Sequence, residues 1–153
     1  FELISRDPAE GIFSALHPEA SWVDRLRVQS ANPAEMPAIV QRHTASVMFY
    51  AGGATSELGR SPTRMAEVLG CGRPVVINSG VGDVEQVIRQ QGVGVLATGA
   101  TSVEMDACVA ELLTLLKGPD LSRRCRRTAE RLFSLESGVA AYRQIYSDIV
   151  EIR

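Results

Sequence analysis

The sequence predicts an α/β domain: a doubly wound parallel sheet of about five strands, closed by C-terminal capping helices. Short apolar runs alternate with helical stripes from Phe1 to Ala97. One of them, Val75-Val76-Ile77, is an uninterrupted apolar run bounded by glycines, as expected of an interior parallel strand. After Gly99 the pattern turns to helices alone, and alternation followed by a helical tail is the mark of a doubly wound fold. Right-handed crossovers should join the strands. At 153 residues the chain is expected to be one domain, long enough to bury a core.

Taken in order, residues 1–5 (FELIS) read as a strand and 8–16 as a short helix. Trp22 precedes the charged stretch DRLR and a weak strand at 26–28. Asn32-Pro33 starts the next helix, with Glu35 in its first turn and Met36, Ile39 and Val40 facing inward. Residues 46–50 (SVMFY) form a strand ending in Ala51-Gly52-Gly53, a loop whose glycines permit close approach by a ligand. A helix at 62–70, a strand at 74–78, a helix at 83–91 and a strand at 93–97 follow. Three amphipathic stripes make the tail: Met105/Cys108/Leu112/Leu115, Leu121/Cys125/Thr128/Leu132 and Val139/Tyr142/Ile145/Ile149.

The densest signal lies in 61–85, SPTRMAEVLGCGRPVVINSGVGDVE. Ser61 is the expected N-cap and Pro62 the first-turn proline, whose missing N–H has no intrahelical partner anyway. Met65, Val68 and Leu69 share one apolar face, and Gly70 and Gly72 stop the helix. Gly80-Val81-Gly82 then turns the chain into the next helix, for which Asp83 is the expected N-cap. In open α/β sheets the ligand lies outside the carboxyl ends of the strands. Here those loops are 6–7, 52–60, 78–83 and 97–99. The start of the Pro62 helix can hold a phosphate on its free N–H groups, and Glu67 can accept hydrogen bonds from vicinal hydroxyls.

These residues resemble the donor-nucleotide half of GT-B glycosyltransferases, most closely the retaining enzymes of glycosyltransferase family 4. The family's helix ends in Glu-Ala-hydrophobic-Ala-x-Gly-x-Pro-Val-Val, which residues 67–76 (EVLGCGRPVV) resemble. A subset writes the helix start as Ser-Pro-Thr-Lys and follows the strand with Gly-hydrophobic-Gly-Asp; Ser61-Pro62-Thr63-Arg64 and residues 80–83 are similar. Val93 to Leu96 and the Phe133-Ser134-Leu135-Glu136 segment, with Tyr142 and Tyr146 after it, extend the likeness over nearly the whole chain.

The resemblance implies a Rossmann-like donor-binding domain, the C-terminal piece of a two-domain enzyme whose acceptor site lies in a missing N-terminal domain. It implies retaining, hexosyltransferase-type transfer from a UDP- or GDP-linked sugar, with no metal or other cofactor required. Arg64 and Glu67 are then the candidate catalytic residues, Arg64 on the pyrophosphate and Glu67 on the ribose. Arg6, Glu57, Arg60, Ser61, Pro62, Thr63, Gly80, Val81 and Gly82 are candidate donor-binding residues, with Asn78 a further candidate by position. Many members carry a first glutamate separated from the second by seven residues; at that spacing before Glu67 stands Gly59, and Glu57 lies two residues upstream. The glycine-rich phosphate turn usual upstream of the opening strand is not present, so the isolated piece is expected to bind nucleotide weakly and transfer nothing.

Bulk properties narrow the remaining classes. A net charge of −2 excludes broad electrostatic attraction to nucleic acid. No run approaches the roughly 20 apolar residues of a membrane span, and the opening FELISRD lacks signal-peptide character. It begins on an apolar run without an initiator Met, so the chain reads as an excised piece of a longer protein. Cys71, Cys108 and Cys125 have neither zinc nor disulfide spacing and read as reduced packing residues, which implies a cytoplasmic setting. Neither His17 nor His43 stands in a catalytic or metal-ligand motif. Arg123, Arg124, Arg126, Arg127 and Arg131 make a basic helix face, either solvated or touching anionic membrane at its periphery. The alternatives are a GT-B-like nucleotide-sugar epimerase or phosphorylase, a flavodoxin-like or receiver-type binding module, and a degenerate domain kept for assembly. A receiver needs an acidic cluster after strand one and an aspartate after strand three; here stand Asp7 alone and Ala51-Gly52-Gly53. A nicotinamide site would need a G-x-G-x-x-G after the opening strand, and none occurs.

Overall fold

The computed structural model describes residues 1–16, 21–51 and 55–151. His17 and the Gly52-Gly53 loop lie outside the described residues. The chain is α/β and divides into two compact units, Phe1–Ala38 and Ile39–Arg153.

In the first unit β1 (Glu2–Ile4) pairs in parallel with β2 (Arg27–Gln29), Glu2 opposite Arg27 and Ile4 opposite Gln29. Helix α1 (Ala9–Ala15) joins them. A 3-10 turn, Pro33–Glu35, leads into α2 (Met36–Gln41), and the Asn32 amide donates to Glu35 Oε2 at 2.7 Å. That bond satisfies a helix-start donor, as the Asn-Pro-x-Glu pattern anticipates.

The second unit holds β3 (Ser46–Met48), α3 (Thr55–Leu58), α4 (Thr63–Gly70), β4 (Val75–Asn78), α5 (Val84–Gln91) and β5 (Gly94–Ala97). Helices α6 (Ser102–Leu116), α7 (Leu121–Phe133) and α8 (Leu135–Glu151) follow. The sheet order is β3-β4-β5, all parallel, with Val76 opposite both Val47 and Val95. Side chains alternate across a sheet. Val76, Val95 and Ala97 pack against Cys108, Met105, Leu112 and Leu115 of α6, while α4 packs on β4 and α7. Met65, Leu69, Val75, Ile77 and Cys125 are fully enclosed. Helix α4 ends on paired bonds, Gly72 N–H to the Leu69 carbonyl and Arg73 N–H to the Val68 carbonyl, the double closure of a Schellman motif.

Two expectations are corrected. All five strands form and every pair is parallel, but they make sheets of two and three strands, not one of five. Every buried apolar residue among those described lies from Ile39 onward. The strands of the first unit therefore lack the enclosed side chains that hold a central strand in place. The third apolar stripe does not cap the core either: α8 has no buried residue, and Tyr142 and Tyr146 are each 67% exposed.

Candidate functional site

At the carboxyl ends of β3 and β4 the sheet is extended by a side chain. Asn78 Oδ1 accepts from the Tyr50 amide at 2.8 Å, and its Nδ2 donates to the Tyr50 carbonyl at 3.2 Å. An amide side chain offers both a donor and an acceptor, so it reproduces a strand neighbour for one residue beyond the ladder. The Ser79 amide continues the β5 side by donating to the Ala97 carbonyl at 3.1 Å.

The turn that follows is bound to the loop before α4. The Gly82 amide donates to the Glu57 carbonyl at 2.8 Å, and Gly80 and Gly82 have φ of 78° and 44°. Val81 between them is 1% exposed and anchors the turn in the core. Ser61 Oγ donates to Asp83 Oδ2 at 3.3 Å. The expected cap therefore shifts: Pro62, not Ser61, occupies the N-cap of α4 and offers no side-chain acceptor. Asp83 stands at the N-cap of α5 but makes no side-chain cap bond there. The Ser61 hydroxyl and the Asp83 carboxylate are turned toward each other instead.

Helix α4 thus starts with Thr63, and no described side chain closes its first turn, where the Met65 amide donates to the Pro62 carbonyl at 3.0 Å. Arg64 and Glu67 are exposed and bonded to no described side chain. Three residues apart, they share one side of the helix.

Glu57 is placed otherwise. It is 6% exposed, Arg60 Nη2 donates to its Oε1 at 2.9 Å, and Arg60 Nε lies 2.7 Å from its Oε2. No described group gives that second oxygen a well-aligned hydrogen bond. The hydrogen bond and the charge of Glu57 hold the Arg60 guanidinium above its ordinary pKa. The Arg60 Cζ stands 5.0 Å over the Tyr50 ring, within cation–π range. Tyr50 was not singled out by the sequence; its place as an aromatic residue closing an apolar strand before a glycine loop is the signal that could have found it. Glu57 and Arg60 were expected to meet the donor; the structure pairs them with each other, at the i, i+3 spacing that allows such a pair.

The contacts bring together Tyr50, Glu57, Arg60, Ser61, Asn78, Gly82 and Asp83, with Pro62, Gly80 and Val81 carried in the same two segments and Thr63 opening α4 beside them. Arg6 is exposed after β1 in the first unit. On the basic helix, Arg124 Nε donates to the Gly92 carbonyl at 2.9 Å and Arg131 bonds Gln91. Arg123 pairs with Asp120 at 3.4 Å, while Arg126 and Arg127 are exposed with no ion pair to a described residue. Among the described residues no group of three His, Cys, Asp or Glu is placed to hold a metal ion. No helix there is long and apolar enough to cross a membrane.

Chemically, this edge offers, among the described residues, a helix start with no side-chain cap, exposed cations and, one turn further on, a carboxylate with no side-chain partner. Such a set can hold a polyanion joined to a polyhydroxyl group. No protein-family model, no curated protein and no solved structure matches this chain.

Proposed function

We propose that the chain is the donor-binding domain of a GT-B-type glycosyltransferase, taking a UDP- or GDP-linked sugar for retaining transfer to an acceptor held by another domain. The observation that carries the reading is the start of α4: its N-cap supplies no side-chain acceptor, and Arg64 and Glu67 stand exposed along one side. In this reading the first-turn amides and Arg64 take the pyrophosphate, and Glu67 takes the ribose hydroxyls. Positive charge there would stabilise the negative charge that develops on the departing nucleoside diphosphate. The parallel sheet β3-β4-β5, with a helix after each strand, supports on the same reading a Rossmann-like donor-binding domain. Three free cysteines suit a cytoplasmic setting, and Arg126 and Arg127 are the residues available to an anionic membrane surface.

The test is calorimetric titration of the chain with UDP, GDP, ADP and their sugars, comparing wild type with Glu67→Ala and Arg64→Ala. Each lost charged hydrogen-bonding group should weaken nucleotide binding by about 10- to 100-fold. Both side chains are exposed, so the urea midpoint should stay in place. Nucleotide binding indifferent to both substitutions rejects the assignment.

A further inference from the structure

We propose that Glu57 is a positioning residue for Arg60, and that Arg60, held by it, is a second cation meeting the diphosphate beside Arg64. The proposal rests on the nucleotide-binding reading above. Glu57 cannot itself serve a sugar in the arrangement observed: its side chain is 8% exposed and faces the Arg60 guanidinium with both oxygens.

Arg60 is immobilised at every level yet remains open to solvent. Its carbonyl is covered by Gly82, where an added Cβ would lie 1.7 Å away. Its amide donates to the Glu57 carbonyl at 3.2 Å. One face of the guanidinium stacks on Tyr50, whose backbone is clasped by Asn78. Nε and Nη2 are turned to Glu57, which leaves Nη1 with both hydrogens and no described partner. The side chain is still 46% exposed.

A long arginine ordinarily surrenders rotamer freedom when it grips an anion; one already held in place does not. The carboxylate is the buried member of the pair and the arginine the exposed one, so a ligand arriving from solvent meets the cation. Arg60 is also separated only by Ser61-Pro62 from the first turn of α4. The chemistry that fits is a phosphate chain, shared by nucleoside diphosphates and inorganic pyrophosphate.

The experiment titrates the full chain with inorganic pyrophosphate, UDP and GDP, for wild type, Arg60→Ala, Arg60→Lys, Glu57→Gln and the double variant Glu57→Gln/Arg60→Gln, with urea unfolding followed in parallel. The double variant removes both charges together, so no lone carboxylate stays buried and the fold survives. Expected are about a 10- to 100-fold loss of affinity in Arg60→Ala and in the double variant, on pyrophosphate as on nucleotides. Arg60→Lys should recover part of it, and Glu57→Gln should cost a few-fold when Arg60 is present and nothing when it is absent. A folded double variant that binds like wild type overturns the proposal, as does an effect of Glu57→Gln that persists without Arg60. If nucleotide binding responds to Arg64 and Glu67 but not to Arg60, this inference alone falls. If the wild-type chain binds neither pyrophosphate nor nucleotide, both readings fall.

Discussion

The carbonyl oxygen of Arg60 occupies the place where a side chain on Gly82 would begin: a Cβ there would lie 1.7 Å from it. The turn after β4 therefore seats backbone on backbone against the loop before α4, and residue 82 has φ of 44° as well. Gly82→Ala should lose roughly 2–4 kcal/mol, from left-handed strain plus overpacking. At Gly80, φ is 78° but an added Cβ meets nothing within 4 Å. Gly80→Ala should cost only about 1–2 kcal/mol, the strain alone. Urea unfolding of the two variants measures the difference, and equal losses would show that the Arg60 contact carries no weight.

Asn78 holds the Tyr50 backbone by its amide and its carbonyl. Asn78→Ala leaves both groups without that partner and should destabilise the chain by about 1–3 kcal/mol. Hydrogen exchange at the Tyr50 amide should quicken. Asn78→Asp keeps the acceptor but loses the donor, and should protect that amide while still costing stability.

The start of α6 should respond to acid. Thr101 Oγ1 donates to Glu104 Oε2 at 2.6 Å and the Thr101 amide donates to it at 3.0 Å; these bonds lower the Glu104 pKa below its ordinary value. A carboxylate depressed in the folded state contributes stability above its unfolded pKa and loses that contribution as pH falls through the folded one. Thr101→Val removes the larger cause, so the Glu104 titration followed by NMR should move upward toward the ordinary carboxylate value. An unchanged titration would mean that the capping box is not formed in solution.

Cys125 responds to base. Fully enclosed, its thiol is pushed up to about 11, chiefly by burial, and burial also raises Cys108. A thiol whose folded pKa is raised keeps its proton while the unfolded chain loses one, so stability falls as pH rises from about 9 toward 11, by at most about 1.4 kcal/mol per pH unit. Cys125→Ala should flatten that slope in alkaline urea titrations. At pH 8 a thiol reagent should label half-buried Cys71 first and reach Cys125 only on unfolding.

The elements of the second unit were legible because their signals are local. The run Val75-Val76-Ile77 became the enclosed strand β4, and the stripe Met65/Val68/Leu69 became the buried face of α4. The same logic misjudged α8, since periodicity reports that a helix has an apolar side and says nothing about what lies against it. It misjudged the Ser61 cap because a hydroxyl will bond whichever acceptor the fold presents, and Asp83, 22 residues away, was presented. At the candidate site, Arg64 and Glu67 were singled out by the resemblance of the motif around them, and both stand exposed on α4. The burial of Glu57 beneath Arg60 and the Tyr50 platform were not, because both follow from the strand's position relative to the loop.

By itself the sequence determined the succession of strands and helices, the parallel sense of the strands and the glycine turn at 80–82, all consequences of side-chain periodicity and backbone preference over a few residues. Only the tertiary structure decided that the strands divide into two sheets, that Gly82 rests on Arg60 and that Asn78 clasps Tyr50. Those contacts join residues more than 20 positions apart, where no local preference acts and shape and hydrogen-bond complementarity select the partner.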